Sequence, residues 1–338
     1  MAKNDRISHA VHPSRFTWDF WYHYDAGKRV FHVLFLNAER ELAVTDQHHF
    51  HSVVGYATTE DFESFNWIKD EVFTADQSSW DNTSIWTGDV VKIGGGYLMF
   101  YTSRDAREES EGDFLTQNVG AAISADFLSW ERIPNLRIAP DARYYETAHV
   151  TGDTTIQAWR DPFLFRHRGE TYMIIAAKGK ELEVGRKGAV GLLKAKGGSL
   201  TDWETLPPIY PISPTSSPGI YDEVEVPQAY IDKQGRLTVV YSMKDIYDHA
   251  PGTGGGGGLH AVGVLDPANI KGKGKAEPKE EQQPKVVVAY SSGVYAARVI
   301  PELEGVVVGF DLKEGGFVKS TVTTGFVSTD RDFSGFGI

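Results

Sequence analysis

Cysteine is missing from all 338 positions, which removes disulfides, thiolate nucleophiles and cysteine-based zinc sites from the chemistry open to this chain. Basic charge is scarce as well. Thirty-four Lys and Arg stand against 46 Asp and Glu, a net charge of −12. Affinity for nucleic acid rests on clustered cations, so no nucleic-acid partner is expected, whereas a neutral small molecule such as a sugar suits an acidic protein. No apolar run approaches the roughly 18 to 20 residues needed to cross a bilayer, and no membrane partner is expected. The N-terminal Met1-Ala2-Lys3-Asn4-Asp5-Arg6 leads into no apolar stretch of the secretory kind. These absences predict a soluble protein, cytoplasmic or exported without a recognisable signal peptide. They leave its oligomeric state open.

Long helical patterns are few, and what takes their place is β-like. Hydrophobic residues make up 41% of the chain, enough for a substantial core, and 35 glycines suit many strands joined by tight turns. An aromatic, β-rich segment recurs at 31–36, 97–101, 171–175, 237–241 and 305–310, a spacing of about 65 to 75 residues. Three of these units continue alike, through a strand opening on Gly55, Gly120 or Gly191 to an Asp and then to Trp67, Trp130 or Trp203. An Asp in a turn bonds its own backbone two residues on, and the Trp after it covers a sheet face. Each unit is also preceded by an apolar strand, at 16–22, 86–93, 158–165, 224–231 and 294–300. Four strands in each of five units predict an all-β fold, a five-bladed β-propeller of four-stranded antiparallel blades around a central channel. The reading is of one domain over 1–338, with a Gly- and Lys-rich loop insert at 251–285 in blade four.

The first strand of each blade lines the channel, and these strands carry unusual polar residues. Asp19 sits within Trp18-Asp19-Phe20-Trp21, where burial is costly unless the carboxylate faces a polar cavity. Asp161 follows Arg160 and precedes Pro162, which predicts a strand start at a channel mouth and a carboxylate held ionised by the guanidinium. Asp222, Glu223 and Glu225 crowd together, so at least one has a raised pKa, and strand alternation puts Glu223 and Glu225 on one face. One carboxylate heading each of three inner strands meets the demands of glycosidic cleavage, which needs an acid on each side of the anomeric carbon. Trp18, Trp21, Trp86 and Trp159 would offer apolar faces to sugar rings. No cofactor is called for and no metal; Asp105 and Asp113, which a calcium ion could use, read as solvent-facing.

These residues resemble the five-bladed propeller clan of glycoside hydrolase families 32 and 68. Trp18-Asp19-x-Trp21 is similar to the family 68 segment bearing the nucleophilic Asp, and Trp86-Thr87-Gly88 to its Trp-Ser-Gly substrate segment. Arg160-Asp161-Pro162 matches the Arg-Asp-Pro whose Asp stabilises the transition state. Asp222-Glu223-x-Glu225 is similar to Asp-Glu-x-Glu, whose second Glu is the acid/base. The resemblance implies a retaining enzyme acting on β-fructofuranosides such as sucrose, with Asp19 as nucleophile, Asp161 as stabiliser and Glu225 as acid/base. Trp18, Trp86, Thr87, Arg160 and Glu223 would bind substrate. Family 32 usually appends a β-sandwich that this sequence does not include, which sets the resemblance nearer family 68. Glu225-Val226-Pro227 departs from family 68, which has Arg after the Glu, and is similar to the family 32 Glu-Cys-Pro. Two other readings remain open: an inverting arabinofuranosidase or xylosidase of the family 43 type, and a propeller that binds sugar without cleaving it.

Overall fold

The computed structural model describes residues 6–110, 115–153, 155–211, 221–247, 257–270 and 284–336. Five antiparallel sheets follow one another along the chain. Their inner strands are Arg15–Asp25, Ile85–Ile93, Trp159–His167, Glu225–Ile231 and Val294–Ile300. The recurring aromatic segments are the second strand of each sheet, Val30–Glu39, Gly96–Arg104, Glu170–Lys178, Leu237–Met243 and Val306–Asp311. This is the five-bladed propeller. Helix among the described residues is confined to Arg40–Val44, Ala106–Ser110 and single 3-10 turns, none of it long or apolar enough to cross a membrane.

The repeated glycine of the third strands has a packing cause. Gly55 pairs with Phe35 and Gly120 with Tyr101 across the ladder. A Cβ at either position would come within 2.4 Å of the Phe35 ring or 2.6 Å of the Tyr101 ring, so glycine makes room for the aromatic beside it. The turn aspartates behave as their position suggests. Asp61 Oδ1 accepts from the backbone N–H of Glu63 and Ser64, and Asp126 Oδ1 from those of Leu128 and Ser129. The tryptophans then wedge between blades: Trp67 packs on Phe35 in its own blade and on Phe317 in blade five, and Trp203 meets Phe100 of blade two.

The ring closes with strands that no repeat announces. The N-terminal strand Arg6–Ala10 is the outer strand of blade five, paired to Phe317–Thr323. Near the C-terminus, Val327–Ser328 pairs with the inner strand of blade four, and bridges from Asp330 to Arg166 and from Phe333 to Ile93 carry the chain across blades three and two. The insert expected over 251–285 needs correction. Gly258–Gly263 is the third strand of blade four, burying Leu259, His260 and Val262, and Lys285–Ala289 pairs with it. A glycine run hid the start of that strand. Gly258 has φ +125°, and a Cβ there would lie 2.1 Å from the Val288 carbonyl oxygen. Positions 251–256 and 271–283 lie outside the described residues.

Candidate active site

Every inner strand breaks its ladder at the same level. The pairing shifts between Trp18 and Phe20, Trp86 and Gly88, Arg160 and Phe163, Glu225 and Gln228, and Tyr295 and Arg298. A bulge leaves a residue unpaired and re-aims its side chain. The residues so released include Asp19, Thr87 and Asp161. Asp161, Val226 and Ala296 have φ of 59°, 49° and 44°, values that are uncommon for residues other than glycine and are held here by their surroundings. Pro162 and Pro227 fall inside two of these bulges, where a strand loses nothing by lacking an N–H. The third inner strand starts at Trp159, within one residue of the expected 158, and Pro162 marks the bulge inside it. Glu223 lies ahead of its strand, so the bulge and the turn before it, not simple alternation, bring Glu223 and Glu225 together.

The result is a cavity of about 350 Å³ whose wall includes Asp19, Asp161, Glu223 and Glu225, with Trp18, Trp86, Thr87 and Arg160 beside them. The eight residues that the resemblance implies for catalysis and substrate binding therefore line one cavity. A second hollow, of about 250 Å³, involves Tyr22, Lys92, Tyr230, Arg298 and Arg331. Its acids are already committed: Asp89 accepts from Leu164 N–H and Arg331, and Glu302 from the Tyr22 hydroxyl.

Arg160 is the hub. It is 5% exposed, and its Nη2 donates to Glu223 Oε1 and, at 3.3 Å, to Glu225 Oε1. Its Nε stands 3.7 Å from Asp161 Oδ2, and its Nη1 donates to Gln117 Oε1 at 3.3 Å. Asp161 Oδ2 accepts from the Val226 N–H at 2.9 Å. A chain of hydroxyls joins the blades: Thr87 donates to Asp19 Oδ2, Thr102 donates to the Thr87 carbonyl, and the Asp161 N–H donates to the Thr102 hydroxyl. The carboxyls are close enough to feel one another. Burial raises Asp19 to about 6, aided by Glu225 and opposed by the Thr87 hydrogen bond and by Arg298. Burial likewise raises Asp161 to about 7, with Asp19 adding to it and Arg160 opposing. The expectation that Arg160 keeps Asp161 ionised is thus reversed, because desolvation of a residue 4% exposed outweighs a guanidinium shared among three acids. Within the acidic run, burial raises Glu223, against the pull of Arg160.

Two of the four tryptophans do not serve the site. Trp21 and Trp159 are fully buried core residues, the latter donating its Nε1 to the Ile138 carbonyl. Trp86 is half-buried, stands over the Arg104 guanidinium and donates to the His49 carbonyl. Trp18 reaches the cavity but is 2% exposed. Asp105 is buried, not solvent-facing, with Arg107 clasping both carboxylate oxygens; Asp113 lies outside the described residues.

Sequence reading missed several groups. Tyr295, in the fifth inner strand, donates its hydroxyl to Glu225 Oε2. Its one signal was its place, at the bulge level of a strand with no acid. His49, Lys244 and Tyr247 also line the cavity. Arg298, fully buried, donates to the Phe20 and Gly88 carbonyls beneath Asp19.

Comparison with known proteins gives a family and a fold. The family described as "Glycosyl hydrolases family 32 N-terminal domain" matches residues 28–250, a stretch that includes Asp161, Glu223 and Glu225 and begins downstream of Asp19. Sucrose-6-phosphate hydrolase of Bacillus subtilis (strain 168) is 30% identical over 155 residues, covering 46% of this chain and 28% of that protein. The fold is similar to that of inulosucrase from Halalkalicoccus jeotgali bound to kestose (TM-score 0.63, 17% identity, 98% of this chain and 94% of that one). It is also similar to a mutant β-fructofuranosidase of Microbacterium saccharophilum K-1 (TM-score 0.58, 19% identity, 94% and 74%).

Proposed function

The chain belongs to glycosyl hydrolase family 32, and on that footing we propose that it cleaves β-fructofuranosides such as sucrose with retention, passing the fructosyl group to water or to a second sugar. The observation that carries this reading is the meeting of Asp19, Asp161 and Glu225, from three blades, on one cavity wall around Arg160. Asp19 attacks the anomeric carbon, forming an ester as the bond to the leaving oxygen breaks, and Glu225 gives that oxygen its proton. In the second half Glu225 takes a proton from water or a sugar hydroxyl, which attacks the same carbon and releases Asp19. Asp161 accepts from sugar hydroxyls and stabilises the positive charge that develops on the ring. Trp86 packs against the sugar, and Arg160 with Glu223 holds the acid/base in place.

The expected nearness to family 68 gives way to family 32, which the family match favours, as does the Glu225-Val226-Pro227 sequence. Incubation with sucrose and with sucrose 6-phosphate, followed by product analysis, tests the reading. Glucose or its phosphate appearing with free fructose indicates hydrolysis, and with longer fructosides indicates transfer. Silence on both, with turnover of an arabinofuranoside or xyloside, would overturn it.

A further inference from the structure

One cluster at the lip of the cavity has no part in this scheme. Asp46, His48 and His49 each bring a ligand-type atom within 4.8 Å of those of the other two. The chain is shaped for this. His48–Phe50 is a single 3-10 turn, and Asp46 just before it has φ +56°, which folds its carboxylate back to 3.9 Å from His48 Nδ1. The two imidazoles lie 4.0 Å apart, centroid to centroid. Trp18 stands edge-on to both, at 4.8 and 5.8 Å, and Phe16 to His48 at 5.1 Å. Trp86 holds the His49 carbonyl at 2.7 Å. His48 is 9% exposed, and its Nδ1 faces this group without a hydrogen-bond partner. A buried ring nitrogen left unpaired is costly, and a metal ion would satisfy it.

We propose that Asp46, His48 and His49 bind one divalent ion of the zinc type, completed by water, and that its presence obstructs the cavity. Two imidazoles and a carboxylate suit Zn²⁺, Cu²⁺ or Ni²⁺, whereas Ca²⁺ and Mg²⁺ want a shell of oxygens. Lys244, Arg160 and Arg104 stand near His49, so bonds to nitrogen must outweigh the repulsion of their charge. Bonds of about 2.1 Å in a tetrahedral site bring ligand atoms to roughly 3.4 Å from one another. The group must therefore tighten, and Asp46, with its side chain 88% exposed, is free to move. Asp46 and His49 share the cavity wall with Asp19, so the ion would sit where a sugar must pass; this second half rests on the function proposed above, and the first does not.

Calorimetric titration of the chelator-free protein with ZnCl₂ tests the site without reference to activity. The expected result is one ion per chain, no heat with MgCl₂, and affinity lowered at least about tenfold in Asp46→Asn and in His48→Gln, since losing even an outer-sphere partner costs that much. Asn tolerates the left-handed backbone at position 46, so D46N keeps its fold and carries the test even if H48Q fails to fold. Equal affinity in wild type and D46N would place any zinc on another of the 11 histidines and overturn the site, as would no binding in the wild type. Sucrose turnover lost on adding zinc and restored by EDTA supports the obstruction. Zinc bound at full turnover refutes it.

Discussion

Thr87→Val isolates one hydrogen bond at the reacting carboxylate. Thr87 is 2% exposed and donates to Asp19 Oδ2; valine keeps its shape and removes the donor. A hydrogen bond to a charged group contributes about 1.5 to 3 kcal/mol, and one pKa unit corresponds to about 1.4 kcal/mol, so the loss is worth roughly one to two units. Asp19 is half-buried with its carboxyl facing the open cavity, and solvent screening brings the effect to the lower end, roughly one unit. The donor favours the anion, so its removal moves Asp19 upward from about 6. A nucleophile must be ionised, hence kcat/KM falls as pH drops through this value. With Asp161, raised to about 7, also needed as an anion, the acid limb for sucrose should carry two ionisations, near pH 6 and pH 7 in the wild type, and T87V should move the lower one up by about one unit, so that at pH 6 the variant loses about fivefold beyond any loss on the plateau. Profiles from about pH 4.5 to about pH 9 measure this, and Thr87→Ser should leave the limb in place. A limb that stays put in T87V, or moves to lower pH, refutes the assignment of Asp19 as the group whose ionisation gates the reaction.

Asp19→Asn should abolish sucrose turnover yet stabilise the fold. Its folded pKa of about 6 exceeds the ordinary 3.8, so the ionised group destabilises the wild type by up to about 3 kcal/mol above both values. The gain in Tm should be full above pH 6 and vanish below about pH 4, where both forms are neutral; an unchanged Tm at neutral pH counts against it. Glu225→Gln should slow sucrose turnover sharply and do much less to a fructoside whose leaving group departs without a proton, and equal losses on both would argue against proton donation by Glu225. Arg160→Ala leaves Glu223 and Asp161 buried without their cation, which should cost about 3 to 5 kcal/mol in urea unfolding at neutral pH. The deficit should shrink as pH falls, because protonation neutralises the stranded acids; a pH-independent deficit would mean the loss is one of packing.

Period, composition and local chemistry were enough to read the blades. The aromatic second strands, the glycines opposite Phe35 and Tyr101 and the turn aspartates each answer to contacts made within one unit, so each unit writes the same signs into its own stretch of sequence. The acids at 19, 161 and 225 stood out for a similar reason, being charges where a strand should be apolar. Other features depend on partners hundreds of residues away and leave no local mark. Closure of the ring by Arg6–Ala10 against Phe317–Thr323 is one, and the Tyr295 hydroxyl on Glu225 another. The bulges that aim the acids inward answer to the crowding of five strands at one axis, and only Pro162 and Pro227 hinted at two of them. The order of the carboxyl pKa values also came from the assembled molecule. Arg160 stands next to Asp161 in sequence, but how much of its charge reaches that residue depends on Glu223 and Glu225 competing for it and on how completely water has been removed.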